Sequence, residues 1–164
     1  LSYLLTGAKT ETEDYTYGER LVDPKVRITQ NLDGKELTHD MPLNVNQVEE
    51  VIKMYKKNGP GTNQAVMEIG QPSDITLADP PCLRLIDTRL RYGKLHFILY
   101  FRSWDLWGGF PSNLGGLQLV KQYMAEEIGV DDGEIIAVSK GLHLYDYSWE
   151  LAKLRTNKNN LVIK

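Results

Sequence analysis

Over 94–103 an extended chain would put Leu95, Phe97, Leu99 and Phe101 on one face and Ile98 and Tyr100 on the other. A second such run, 83–91, precedes it, and Tyr92-Gly93 stands between them. Two extended runs separated by two such residues predict an antiparallel hairpin in which Arg91 faces Lys94 and, with the register continued, Cys82 faces Ser103. Apolar residues on both faces of the second strand predict a sheet covered by helices on one side and by something apolar on the other, for which a second subunit is a candidate. Over 114–128 the period becomes helical, with Leu117, Val120, Met124 and Ile128 in phase and Gly129 to close the helix. Asn44 or Asn46 can cap another helix carrying Val48, Val51, Ile52 and Tyr55, which Asn58-Gly59-Pro60-Gly61 ends.

Residues 1–23 read as a polar, tyrosine-rich approach that enters a helix at Glu19-Arg20-Leu21. Asp33-Gly34 and Pro42 mark 31–42 as a loop, 63–70 as a whole reads as a strand, and 71–81 as a loop. Downstream, 134–138 is expected as a strand, 141–145 as the approach to another, and 149–154 as a short helix before Leu161-Val162-Ile163. Strands and helices mix without regular alternation, so the fold class expected is α+β.

With 164 residues and 41% hydrophobic content, the chain is expected to build one domain over 1–164. A formal charge of -3 with both signs interspersed argues against a nucleic-acid groove or a membrane-surface patch, and favours small-molecule chemistry. One cysteine cannot form an intramolecular disulfide, and no apolar run approaches the roughly 18 residues that span a bilayer. A soluble, reducing compartment, the cytoplasm, is the expectation. The chain begins at Leu1 without a methionine or a secretion-signal pattern, which leaves open a fragment of a longer protein.

Cys82 follows Pro80-Pro81, and the hairpin brings it beside Arg102-Ser103. A cationic neighbour favours the thiolate, which is the attacking form, so Cys82 is a nucleophile candidate; the alternative is a small buried apolar side chain. Strict alternation sends Arg102 to the face opposite Cys82, so a bulge or the strand end must re-aim it. The guanidinium fork of Arg102 suits a phosphate or carboxylate, or pairs simply with Asp105. Asn113 either caps the following helix or, in a pocket, offers an amide that matches the adjoining carbonyl and N–H of a uracil ring. His143 and Tyr145, two residues apart, share a strand face and present two polar tips together. Gly108-Gly109 and Gly115-Gly116 lack a following Gly-Lys-Ser or Gly-Lys-Thr, which disfavours a triphosphate loop, and the scattered His39, His96 and His143 predict no metal site.

Pro-Pro-Cys at 80–82, Arg-Ser-x-Asp at 102–105, Gly109 and Pro111 before Asn113, and His143-x-Tyr145 occur in the order and at the intervals of one family: over 80–155 the chain resembles thymidylate synthase, with Tyr17-Gly18 as a weaker match. The resemblance implies a large mixed sheet packed with helices and paired sheet to sheet in a homodimer. It implies that Cys82 adds to C6 of dUMP, that Arg102 and Ser103 hold the phosphate, Asn113 the uracil edge, and His143 with Tyr145 the deoxyribose hydroxyl. Asp105 would lie near base and cofactor, and Tyr17 by the water that removes the C5 proton. The one-carbon donor implied is 5,10-methylenetetrahydrofolate or a related reduced pterin. Asn113 favours uracil, since the related deoxycytidylate hydroxymethylases are expected to carry Asp there. Leu83 replaces the family's histidine, Phe101 its glutamine and Ser112 its phenylalanine. The partner-reaching arginine pair is missing near 61–64, which leaves Arg20, Arg84 or Lys140 to substitute, and the family's N-terminal phosphate loop and C-terminal closing segment find no counterpart within these 164 residues. A pyrimidine nucleotide hydroxymethylase, or an inactive nucleotide-binding dimeric module, are the alternatives.

Overall fold

The computed structural model describes residues 2–11 and 13–156. In chain order the elements are α1 (Ser2–Thr6), α2 (Tyr17–Val22), β1 (Lys25–Leu32), β2 (Lys35–Pro42), α3 (Gln47–Asn58), β3 (Val66–Glu68), β4 (Leu83–Arg91), β5 (Lys94–Phe101), β6 (Trp104–Asp105), α4 (Gly109–Ile128), β7 (Asp131–Ser139), β8 (Leu142–His143) and α5 (Trp149–Thr156). The main sheet has the order β3-β4-β5-β7. Its first three strands are antiparallel, and β7 returns parallel to β5 after the α4 crossover, so this is the mixed α+β arrangement the pattern predicts.

Tyr92 and Gly93 both take positive φ, 49° and 72°, as a two-residue type I′ turn requires, and Arg91 faces Lys94. The side chain of Asn46 accepts the amide N–H of Glu49 to cap α3, and Gly59 ends that helix at φ 60°. Gly129 closes α4 in the left-handed conformation. Val48, Val51, Ile52 and Tyr55 of α3 and Leu117, Val120 and Met124 of α4 belong to one buried cluster with Met67, Ile86, Leu95, Phe97, Leu99 and Phe101 of the sheet.

The opposite sheet face is open. Ile98 pairs with Ile136 and Tyr100 with Val138, and these four are 37%, 51%, 38% and 54% exposed. Burial on both faces of β5 is therefore not met within one chain. Residues 31–42, expected as a loop, instead complete the β1–β2 ribbon, with Asp33-Gly34 as its positive-φ turn and Leu32 facing Lys35. Most of this ribbon is exposed, so no buried face imposed an apolar alternation that the pattern could reveal. The strand expected over 63–70 is confined to Val66–Glu68, and the 71–81 loop contains a 3₁₀ turn, Pro72–Thr76. Leu161-Val162-Ile163 lies outside the described residues. No helix among the described residues is long and apolar enough to cross a membrane.

Candidate active site

The register of β4 against β5 holds from Arg91↔Lys94 to Leu85↔Tyr100 and then slips, so that Leu83 faces Phe101 and Arg84 is the extra residue of a bulge. Arg102 N–H donates to the Cys82 carbonyl at 2.8 Å, and Cys82 therefore lies opposite Arg102, not Ser103. Directly opposed residues share a face, so the bulge removes the conflict between strict alternation and a Cys82–Arg102 pair. Leu83 and Phe101, two of the departures from the resembling family, are cross-strand partners and both fully buried.

The Arg102 fork turns back on the approach to Cys82. Its Nε donates to the carbonyls of Pro80 (3.1 Å) and Pro81 (3.3 Å), and Nη2 to Asp79 (3.0 Å) and to the Pro80 carbonyl. The carboxylate paired with Arg102 is thus Asp79, whose side chain is 84% exposed, and not Asp105. Burial pushes the Cys82 thiol up from its ordinary value; the Arg102 charge pulls it down, while Asp79 and Asp105 push it up again. The net shift is upward, so the thiolate preference expected from a cationic neighbour is outweighed by desolvation.

Tyr17 opens α2, where Thr16 Oγ1 accepts the amide N–H of Glu19 as the cap. This start directs the Tyr17 hydroxyl to the amide N–H of Leu83, which it accepts at 3.2 Å, one residue from the thiol. Burial raises the Tyr17 phenol, and that of neighbouring Tyr15 as well.

Beyond the hairpin, β6 and β8 pair in parallel and set Asp105 against His143. Asp105 accepts the amide N–H groups of Trp107 (3.0 Å), Gly108 (2.9 Å) and Gly109 (2.9 Å), closing the start of α4. Desolvation raises its carboxyl, but the three N–H donors and the His143 charge outweigh it and hold the group below its usual range. Because α4 begins at Gly109, Asn113 lies one turn inside the helix, and its reading as the N-cap is corrected: Asp105 supplies the acceptor. Asn113 Oδ1 instead accepts Trp104 Nε1–H at 3.0 Å. Trp104 is 3% exposed and stacks on Phe101 with ring centroids 3.9 Å apart. The indole thereby orients the amide, leaving its NH₂ to face away from the tryptophan.

Ser103 Oγ lies 2.9 Å from His143 Nδ1, and the His143 ring meets Tyr145 edge-on at 5.0 Å. Tyr145 is past the end of β8, so ring contact, not strand alternation, brings the pair together. A cleft of about 370 Å³ is lined by Leu4, Tyr15, Tyr17, Ser112, Asn113 and Gly116. Among the described residues no group of three or more His, Cys, Asp or Glu is placed to hold a metal ion. Of the three cations proposed to replace the missing arginines, Arg20 and Arg84 are committed to the buried Asp74, at 2.8 and 3.1 Å. Lys140 is exposed, and its backbone N–H bonds the Phe101 carbonyl, beside Arg102. Sequence reasoning missed Trp104 and Asp79; the tryptophan inside Arg-Ser-Trp-Asp was the available signal for the first.

A family model described as thymidylate synthase matches residues 10–162. The chain belongs to the thymidylate synthase family. Among its relatives, a Methanosarcina barkeri protein named "Putative thymidylate synthase" is 31% identical over 150 residues, 92% of this chain and 61% of that protein. A Listeria monocytogenes thymidylate synthase is 34% identical over 110 residues, 66% of this chain and 35% of its own length. The chain thus spans about three fifths of the length of the archaeal relative. Within this thymidylate synthase framework, the Cys82 bulge, the Trp104–Asn113 contact and the Ser103–His143 contact all sit at the ends of β4, β5 and β8, on β6 or on the first turns of α4.

Proposed function

We propose that the protein methylates dUMP to dTMP through a covalent bond between Cys82 and C6 of the uracil. The observation that carries this reading is the arrangement at the end of the hairpin: the free thiol of Cys82 opposite Arg102, with the Tyr17 hydroxyl one residue away. Cys82 passes its proton to water and its thiolate adds to C6, the ring π electrons move to C5 and on to O4, where the amide NH₂ of Asn113 stabilises them, and C5 becomes the nucleophile that bonds the one-carbon unit. Tyr17 holds the water that takes the C5 proton, and elimination of the thiolate re-forms the C5–C6 double bond. Arg102 binds the phosphate by releasing Asp79, Lys140 supplies a second positive charge, and Ser103 adds a hydroxyl. His143 and Tyr145 hold the deoxyribose hydroxyl.

The cleft beside Tyr17 and Asn113 fits a flat reduced pterin: about 370 Å³ is within the range of small-molecule sites, and apolar Leu4 and two tyrosines face polar Ser112 and Asn113. When bound there, 5,10-methylenetetrahydrofolate or a related pterin supplies the methylene carbon and the hydride. The exposed row of Ile98, Tyr100, Ile136 and Val138 suits a second copy of the chain, giving a homodimer. A reaction dependent on a free thiol suits the reducing cytoplasm.

The test is trapping with 5-fluoro-dUMP and a methylene donor, followed by mass spectrometry. A covalent ternary adduct on Cys82 is expected. Binding of dUMP by calorimetry without adduct or release of tritium from C5 would replace this reading with that of an inactive nucleotide-binding module.

A further inference from the structure

Asp74, 1% exposed, occupies the centre of a buried charge cluster that the chemistry above does not use. One carboxylate oxygen meets Arg20 Nη2 at 2.8 Å; the other meets Arg84 Nη1 at 3.1 Å and accepts the amide N–H of Gln71 at 2.7 Å. Arg20 lies on α2, the helix that Tyr17 opens, and Arg84 is the bulged residue two positions after Cys82. We infer that Asp74 is a positioning residue for Cys82: by holding Arg84 it pins the bulge that sets Cys82 opposite Arg102, and by holding Arg20 it keeps the Tyr17 helix against the same strand.

Several independent contacts converge on that bulge. The Arg84 carbonyl accepts two consecutive amide N–H groups, from Ile69 (3.0 Å) and Gly70 (2.8 Å), which clasps the extra residue to the neighbouring chain. Its guanidinium lies so close over Gly70 that a Cβ there would meet it at 2.5 Å. A side chain at position 70 would displace the Arg84 guanidinium and so strain its ion pair with Asp74. Arg84 also reaches back to the carbonyls of Pro81 and Gln71, each at 3.4 Å, tying the segment before Cys82 to the one after it. A bulge shifts register by a residue, and the unbulged alternative would put Ser103 opposite Cys82 and turn Arg102 to the other face. Without a buried anion, two guanidinium groups would remain with no counter-charge at the point where register is decided.

The inference rests on the reading of Cys82 as nucleophile, but its test needs no nucleotide. Cys82 is the only cysteine, so alkylation by iodoacetamide reports on it alone. The charged and titratable groups acting on it are Arg102, Asp79 and Asp105, with Tyr15, Tyr17 and Tyr145 coupled to it in turn. Asp74→Asn keeps the shape but removes the negative charge from both arginines and leaves an amide NH₂ facing one of their N–H donors. Loss of the bulge moves the Arg102 charge away, so the alkylation midpoint is expected to rise by about half a pH unit or more. Thr88→Val, at the far end of the same hairpin, breaks the buried bonds to Tyr55 (3.0 Å) and the Ala65 carbonyl (2.6 Å) and serves as a control for general loosening. Its midpoint is expected to stay at the wild-type value. If Asp74→Asn does not fold, Arg84→Met, which removes only the fork, decides by the same criterion. A wild-type midpoint in the folded Asp74 or Arg84 variant, or an equal shift in Thr88→Val, overturns the inference, whatever the outcome of the 5-fluoro-dUMP experiment.

Discussion

The Arg102–Asp79 ion pair offers the sharpest test of the phosphate site, because the anion that occupies the arginine fork in the free protein must leave when dUMP enters. Asp79→Asn removes that competitor and leaves a neutral side chain of the same shape. The pair is 3.0 Å long, but its side chains are 32% and 84% exposed, so solvent screening limits it. Pairs of this kind contribute about 0.2–1 kcal/mol. Removing the competitor should therefore tighten dUMP binding by roughly 1.4- to 5-fold, which is the same energy written as an equilibrium ratio. A second readout has an independent origin: Asp79 is one of the groups pushing the Cys82 thiol up, so its removal lowers the midpoint of Cys82 alkylation. Calorimetry with dUMP and iodoacetamide alkylation against pH measure the two effects on one sample. Unchanged or weaker dUMP binding would refute the reasoning, since either Arg102 does not hold the phosphate or Asp79 does not compete for it. Arg102→Gln, by contrast, should weaken binding roughly tenfold to a hundredfold through loss of a charge-assisted contact.

Cys82→Ser should abolish tritium release from C5 of labelled dUMP while calorimetry still shows nucleotide binding; release at the native rate removes the thiol from the mechanism. Asn113→Asp keeps an acceptor for Trp104 Nε1 but presents a carboxylate where the NH₂ stood, so the ratio of dCMP to dUMP affinity should rise, as competition binding would show. Asp105→Ala strips the acceptor from three N–H groups at the start of α4 and should cost about 0.5–2 kcal/mol in urea unfolding at neutral pH. Because the Asp105 carboxyl is held below its unfolded value, its contribution is full above the unfolded pKa and fades as pH falls through the folded one; the two unfolding curves should converge in acid. Ile98→Glu on the open sheet face should shift sedimentation from dimer toward monomer, and a wild-type monomer would remove the homodimer.

Much of the framework was legible because it depends on neighbours in sequence. Tyr92-Gly93 specifies a turn by the φ values its residues accept, and Asn46 and Gly129 mark helix ends by local hydrogen bonding and handedness, whereas the apolar residues on both faces of β5 left open which face goes inward. The order of Pro-Pro-Cys, Arg-Ser-x-Asp, Asn113 and His143-x-Tyr145 was likewise readable along the chain, and with it the family. The exposed β1–β2 ribbon was not, since a strand with no buried face has no pattern to display.

What tertiary structure alone decided is the setting of Cys82. One inserted residue, Arg84, changes its cross-strand partner from Ser103 to Arg102, and that insertion is held by Asp74, ten positions away in sequence and paired at the same time with Arg20. The charge state of the thiol also depends on burial against distant segments, which no local motif encodes: desolvation outweighs the arginine that the motif supplies. Asn113 changed from a helix cap to an oriented amide because Asp105 reached the helix start first and Trp104 took its oxygen. Sequence determined which side chains carry the chemistry; long-range hydrogen bonds and desolvation, which act between residues far apart in the chain, decided how they face one another.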